Sequence, residues 1–106
     1  MLEKEKIEAL RKKLSTSVDD VILIETFKLL GDKNRFRIIK MLTEEKELCV
    51  SELAAILDTS MSAVSQHLRI LEMSGLVEGK RCGQMMCYTP LIDHPKVKAI
   101  IKLMDS

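Results

Sequence analysis

No tryptophan occurs in the 106 residues, and the aromatic complement is Phe27, Phe36 and Tyr88 alone. A core without large rings must be built from aliphatic side chains, here 15 Leu and 10 Ile, which favours packed helices. Glycine and proline are also scarce, at four and two. That supply is too small for the many tight turns of an all-β sandwich or barrel, so such a fold is excluded. No apolar run approaches the roughly 20 residues of a membrane span. The opening Met1-Leu2-Glu3-Lys4-Glu5-Lys6 alternates in charge and has no apolar signal core, so a soluble, cytoplasmic protein with no membrane partner is expected. An excess of one charge is missing too: 17 Lys and Arg against 16 Asp and Glu leave a net +1, and global charge does not mark out a nucleic-acid binder. There is no Gly-rich phosphate loop, no nucleophile with a recognisable local partner and no dense carboxylate cluster, so an enzyme is not expected.

The length suits one domain over 1–106, too small for a second core and short enough to gain stability from a partner subunit. Ile7, Leu10 and Leu14 recur at helical spacing within residues 2–14. Residues 18–30 are apolar on most sides, which predicts a buried helix closed by Gly31. Asp32 is placed to cap a third helix with Phe36, Ile39 and Leu42 inward. A short helix over about 51–57 is followed by Asp58-Thr59-Ser60. Ser60 then caps a helix carrying Val64, Leu68 and Leu71 inward, which Ser74-Gly75 ends. From Leu76 the period changes to that of strands, giving a β-hairpin around Cys82-Gly83-Gln84 with Gly as the second central residue of the turn. Asp93 or His94 caps a last helix with Pro95 in its first turn, and Val97, Ile100, Ile101 and Met104 form its stripe. The fold class is therefore mainly α with a small β-hairpin.

Two short helices joined by three residues, the second apolar inside and polar with small residues outside, make a helix-turn-helix. Ser62 and Ser65 let a helix approach a duplex closely, while Gln66 and Arg69 offer bidentate pairing to adenine and guanine edges. The helix N-terminus at Ser60 and Met61 can receive a phosphate, and His67 lies on the helix face near it. Lys80, Arg81 and Gln84 stand by the hairpin tip, where a wing reaches phosphates or a minor groove. A polar helix face alone is commonly just solvated surface; the ordered set of connector, capped helix, Gly stop and basic-tipped hairpin is what points to double-stranded DNA. The stripes of the first and last helices, Ile7, Leu10, Leu14, Val97, Ile100, Ile101 and Met104, have no obvious partner within one subunit, and a homodimer interface would bury them.

Several runs in order are similar to one family: Leu30-Gly31-Asp32-Lys33-Asn34-Arg35, Glu47 to Leu53, Ser60 to Leu71, Ser74-Gly75-Leu76-Val77, and Arg81 to Tyr88. The stretch from Phe27 to Tyr88 resembles the ArsR/SmtB family of metal- and stress-responsive repressors. The resemblance implies a homodimeric winged helix-turn-helix repressor, paired through its first and last helices, which reads an inverted-repeat operator and leaves it when an inducer binds. The family's Cys-Val-Cys thiol site is here Cys49-Val50-Ser51, one ligand short. Its other common site starts with Asp and His early in the last helix. Asp93 and His94 are present, but the later positions hold Lys98, Lys102 and Asp105, which leaves a tetrahedral zinc site incomplete.

Three cysteines, Cys49, Cys82 and Cys87, are an odd number that favours free thiols or metal ligands over a disulfide framework. They are the candidates for a thiophilic metal or metalloid ion, or for a thiol-oxidising inducer. Packing is the alternative role for Cys49 and Cys87, as for Met85 and Met86. With a turn at Cys82-Gly83 the two wing cysteines stay apart; with a four-residue loop from Gly83 to Met86 they stand opposite each other. A protein-interaction module on the same helical domain, with no DNA contact, is the competing function.

Overall fold

The computed structural model describes residues 1–105 as six helices and a small sheet. The helices are α1 (Lys4–Lys13), α2 (Val18–Leu30), α3 (Lys33–Glu45), α4 (Val50–Leu57), α5 (Met61–Met73) and α6 (Pro95–Met104). The strands are β1 (Leu48–Cys49), β2 (Val77–Cys82) and β3 (Met85–Pro90), antiparallel in the order β1-β3-β2. No helix among the described residues is long and apolar enough to cross a membrane. This is a winged helix-turn-helix.

Local chemistry sets most of the boundaries. Ser17 Oγ accepts from Asp20 N at 3.1 Å, Asp32 Oδ2 accepts from Asn34 N and Arg35 N at 3.0 Å each, and Ser60 Oγ accepts from Ala63 N at 3.1 Å. Each bond satisfies a donor that the first helical turn would otherwise leave open. Arg35 Nε donates to Leu29 O at 2.7 Å, which ties the end of α2 to the start of α3. Asp58, left-handed at φ 52°, makes the sharp exit from α4, a conformation that Asp and Asn adopt more readily than other non-glycine residues.

The core gathers Ile38, Ile39 and Leu42 of α3, Leu53 of α4, Val64, Leu68 and Leu71 of α5, Leu76, Val77, and Val97 of α6, all buried. The stripe of α6 therefore has a partner within its own subunit: Val97 and Ile100 are buried, and Ile101 and Met104 pack against the same cluster. That corrects the premise that this stripe is free for a second copy. On α1 nothing is buried; Leu10 is half-buried, and Ile7 and Leu14 are exposed.

The buried position expected for α2 is also corrected. Only Thr26 is buried there, its hydroxyl donating to Ile22 O at 2.8 Å, whereas Val18, Val21, Ile22, Leu23, Ile24 and Phe27 are exposed. Apolarity around a helix shows that it needs cover, not that its own chain provides it. With α1 and α2 extending from the core, the molecule measures 63 × 26 × 25 Å.

The hairpin turn is Gly83-Gln84, flanked by the pair Cys82↔Met85. Gly83 has φ +64° and Gln84 has no positive φ, so glycine holds the first central position and not the second. That is the pattern of a primed turn suited to strand twist. β1 has no counterpart in the sequence reading. It is two residues long, pairing Leu48 with Tyr88 and Cys49 with Cys87.

Candidate functional site

Helix α5 is held from beneath by Val64, Leu68 and Leu71, so the residues between those positions turn outward. Ser62, Ser65, Gln66 and Arg69 are all exposed, as are Ser60 and Met61 at the N-terminus. Spacings of three and four put them on one side of the helix. Among the wing residues, Lys80, Arg81 and Gln84 are exposed, and Lys80 Nζ lies 3.4 Å from Glu47 Oε2.

His67 sits differently. It is half-buried, with Nδ1 3.9 Å from Asp32 Oδ2, too long for a hydrogen bond, and that nitrogen has no hydrogen-bond partner. The imidazole thus faces the start of α3 and not open solvent. The backbone N–H of Arg35 holds the Asp32 carboxyl below its ordinary pKa, helped by the charges of His67 and Arg35 and by Asn34 N–H, against the opposing effect of burial. Burial raises the pKa of the Tyr88 phenol on β3, as does the nearby Glu72 carboxylate. Glu72 also anchors the wing, its Oε2 accepting from Gly79 N at 3.0 Å.

The three cysteines, 49, 82 and 87, converge. Cys49 ends β1 and is the N-cap of α4, its backbone N–H donating to Glu52 Oε1 at 2.8 Å. Cys87 lies opposite it on β3 and is 2% exposed, and the two are joined as a disulfide, which corrects the expectation of free thiols or metal ligands in place of a disulfide. The bond links the β1 cysteine to the wing and does not link Cys82 with Cys87. Cys82 is a free, half-buried thiol diagonal to Cys87 across the hairpin, since Cys87 pairs with Lys80 two residues away. Its Sγ donates to Glu47 Oε1 at 3.9 Å. One ligand atom each from Glu47, Cys82 and Cys87 lie within 4.8 Å of one another.

Sequence reasoning passed over Glu47, which lies in an acidic turn that looks like ordinary solvated surface. The only signal was its place just before Leu48-Cys49. Among the described residues, Asp93 and His94 join no group of three ligand atoms. His94 is the N-cap of α6, its Nδ1 accepting from Lys96 N at 3.1 Å. As a donor set, the two cysteine sulfurs and one carboxylate of that group have soft-ion character, whereas Asp93 and His94 complete no harder one.

Comparison with known proteins agrees with the fold. The family model described as bacterial regulatory protein, arsR family, matches residues 32–79. The cadmium resistance transcriptional regulatory protein CadC of Listeria innocua is 33% identical over 102 residues, spanning 96% of this chain and 83% of that protein. The arsenical resistance operon repressor of Escherichia coli is 40% identical over 65 residues, 61% of this chain and 56% of that one. Among solved structures, HlyU from Vibrio cholerae superposes with a TM-score of 0.74 at 34% identity, covering 84% of this chain and 94% of that one. The AntR antimony-specific transcriptional repressor gives a TM-score of 0.73 at 30% identity, covering 86% and 80%.

Proposed function

The chain belongs to the arsR family of bacterial regulatory proteins, transcriptional regulators and not enzymes, and on that premise we propose that it is a cytoplasmic homodimeric repressor released from its operator by a thiophilic ion or a thiol-oxidising species. The observation that carries the DNA-binding reading is the outward face of α5: Ser62, Ser65, Gln66 and Arg69 exposed together on a helix capped by Ser60. Short hydroxyl side chains allow close approach to a major groove, and Gln66 and Arg69 supply the bidentate donors that distinguish base pairs. Ser60 and Met61 stand where helix amides meet a phosphate, while Lys80, Arg81 and Gln84 of the wing contact the flanking backbone. His67 supports the face from behind through its approach to Asp32.

The homodimer is supported by apolar surface that one subunit leaves uncovered. Exposed apolar side chains are most numerous on α2, where Phe27 is 58% exposed, with Leu103 of α6 beside them, and Ile7 of α1 and Leu14 after it are exposed as well. Two recognition helices related by a two-fold axis then read half-sites about 34 Å apart in an inverted repeat. The CadC and arsenical-repressor relatives and the convergence of Cys49, Cys82 and Cys87 support an inducer that acts on sulfur.

Selection from a random duplex library at low salt, followed by anisotropy titration of the enriched sequence, tests this reading. An enriched inverted repeat bound in preference to scrambled duplex is expected. Failure to bind any duplex would overturn it in favour of a protein-interaction module.

A further inference from the structure

Two cavities flank the line where α2 meets α6, and Thr26 and Lys96 line both. The larger, of about 560 Å³, is apolar through Ile22, Leu23, Phe27 and Leu103, and belongs to the α2 face that the dimer reading gives to a second copy. The other, of about 400 Å³, has a different chemistry. Glu25 and Lys28 of α2, Arg35 of α3 and Lys96 of α6 set three cations against one carboxylate around it, over an apolar floor of Leu29, Ile70 and Leu76.

The charges around this crevice are unevenly matched. Lys28 Nζ lies 3.6 Å from Glu25 Oε1, which leaves Arg35 and Lys96 without a carboxylate of their own in the lining. The Asp32 carboxylate senses the Arg35 charge but lies outside the lining. Arg35 Nε is spent on Leu29 O at 2.7 Å; that bond fixes the guanidinium at the crevice wall and keeps its two Nη groups for another acceptor. The ammonium of the half-buried Lys96 has no ion-pair or hydrogen-bond partner among the described residues. The two hydroxyls of the lining, on Thr26 and Ser74, donate to Ile22 O at 2.8 Å and Ile70 O at 2.9 Å, so neither has a proton left for an anion. Any acid group here is therefore held by the cations.

We propose that this crevice is a binding site for a small organic carboxylate, with its acid group between Arg35 and Lys96 and its apolar body on Leu29, Ile70 and Leu76. A guanidinium with a free Nη edge matches the two oxygens of a carboxylate, and Lys96 adds a point charge. An inorganic anion would occupy a small part of the volume and leave the apolar floor facing water, whereas an apolar cavity with a few placed polar groups is the usual composition of a small-molecule site. The walls belong to four helices, so a ligand would bridge α2, α3 and α6 to Ile70 and Ser74 at the end of α5. None of these contacts involves sulfur, and the site needs no part of the inducer reading.

The test uses the full chain, without DNA, and five probes: benzoate, hexanoate, their neutral isosteres benzamide and hexanamide, and inorganic phosphate. Calorimetry should show each carboxylate bound once per subunit, with the amides and phosphate at least tenfold weaker. Methyl NMR should show shifts at Leu29, Ile70 and Leu76 and none at Leu23 and Leu103. Lys96→Gln should weaken the carboxylates about tenfold, the order expected for losing one hydrogen bond to a charged partner. Glu25 lines only this crevice, and Glu25→Gln should strengthen them roughly twofold, because a like charge is removed. Damage to the fold would lower both variants, so the opposite signs belong to charge alone.

Amides binding as tightly as the acids would overturn carboxylate recognition. Phosphate binding as tightly would overturn the organic body. Shifts confined to Leu23 and Leu103 would move the ligand to the larger groove, and unchanged affinity in Lys96→Gln would remove that residue from the site. No binding of either carboxylate would overturn the site itself.

Discussion

Asp32 shows how much one side chain can hold at a junction. Its carboxylate caps α3, faces His67 of α5 and precedes the arginine that ties α2 to α3. Replacing it by alanine should cost about 1 kcal/mol of unfolding free energy, the usual worth of a cap, as read from the urea midpoint at neutral pH. Its folded pKa is depressed, so the charged form's contribution is present above the ordinary carboxylate value of 3.8 and is lost as pH falls through the folded value. Asp32→Asn, which caps but does not titrate, should keep neutral-pH stability and lose part of the decline below about pH 4 that the wild type shows. An unchanged acid limb would show that the charge at Asp32 contributes nothing to folding. Gly79 is constrained sterically, not electrostatically: a Cβ there would stand 2.7 Å from Tyr88 Cε1 and 2.9 Å from Cζ of that buried ring. Gly79→Ala should therefore destabilise by about 1 to 3 kcal/mol as overpacking, seen as a lowered Tm.

At the scale of elements, α5 and the wing should fail in different ways. Gln66→Ala and Arg69→Ala should each lose about 1 to 3 kcal/mol of operator affinity and little affinity for random duplex. Lys80→Ala and Arg81→Ala should weaken every duplex and reduce the salt slope by about one each. Paired anisotropy titrations over a salt series distinguish the two patterns, and loss of discrimination in the wing variants would move base reading to the hairpin. The exposed ion pair of Lys80 with Glu47 is worth at most about 1 kcal/mol, so a phosphate can displace it. The elements most legible in the sequence were those carrying their own signals. Ser60 before a 3.6-period stripe marks the start of α5, and Pro95 narrows the cap of α6 to Asp93 or His94, of which the structure uses His94. β1 was illegible because two residues have no period; only its pairing with β3 defines it, and with it the meeting of Cys49 and Cys87. The wing turn was ambiguous because Cys82-Gly83-Gln84 fits more than one hairpin, and strand pairing further along decides between them. For α2, the sequence showed apolar surface but not what covers it.

For the molecule as a whole, the burial pattern changes which substitution tests dimerisation. Ile100 is 5% exposed within the subunit, so Ile100→Glu should unfold the protein and reveal nothing about assembly. Leu23→Glu or Phe27→Glu, on the exposed face of α2, should leave the fold intact and give monomers by sedimentation, with operator affinity falling in parallel. A wild-type monomer at micromolar concentration would end the dimer proposal. The bond between Cys49 and Cys87, 38 positions apart, also has a meaning outside the native state. The loop it closes contains α4, α5 and β2, the whole of the proposed DNA-reading unit, so in the oxidised denatured chain that unit is a ring and not an open coil. Chain-entropy arguments value a ring of that size at about 4 kcal/mol. Oxidised and reduced protein should therefore unfold at clearly different urea concentrations, and a chain nicked once between β1 and β3 should run as one species until a reductant opens the ring.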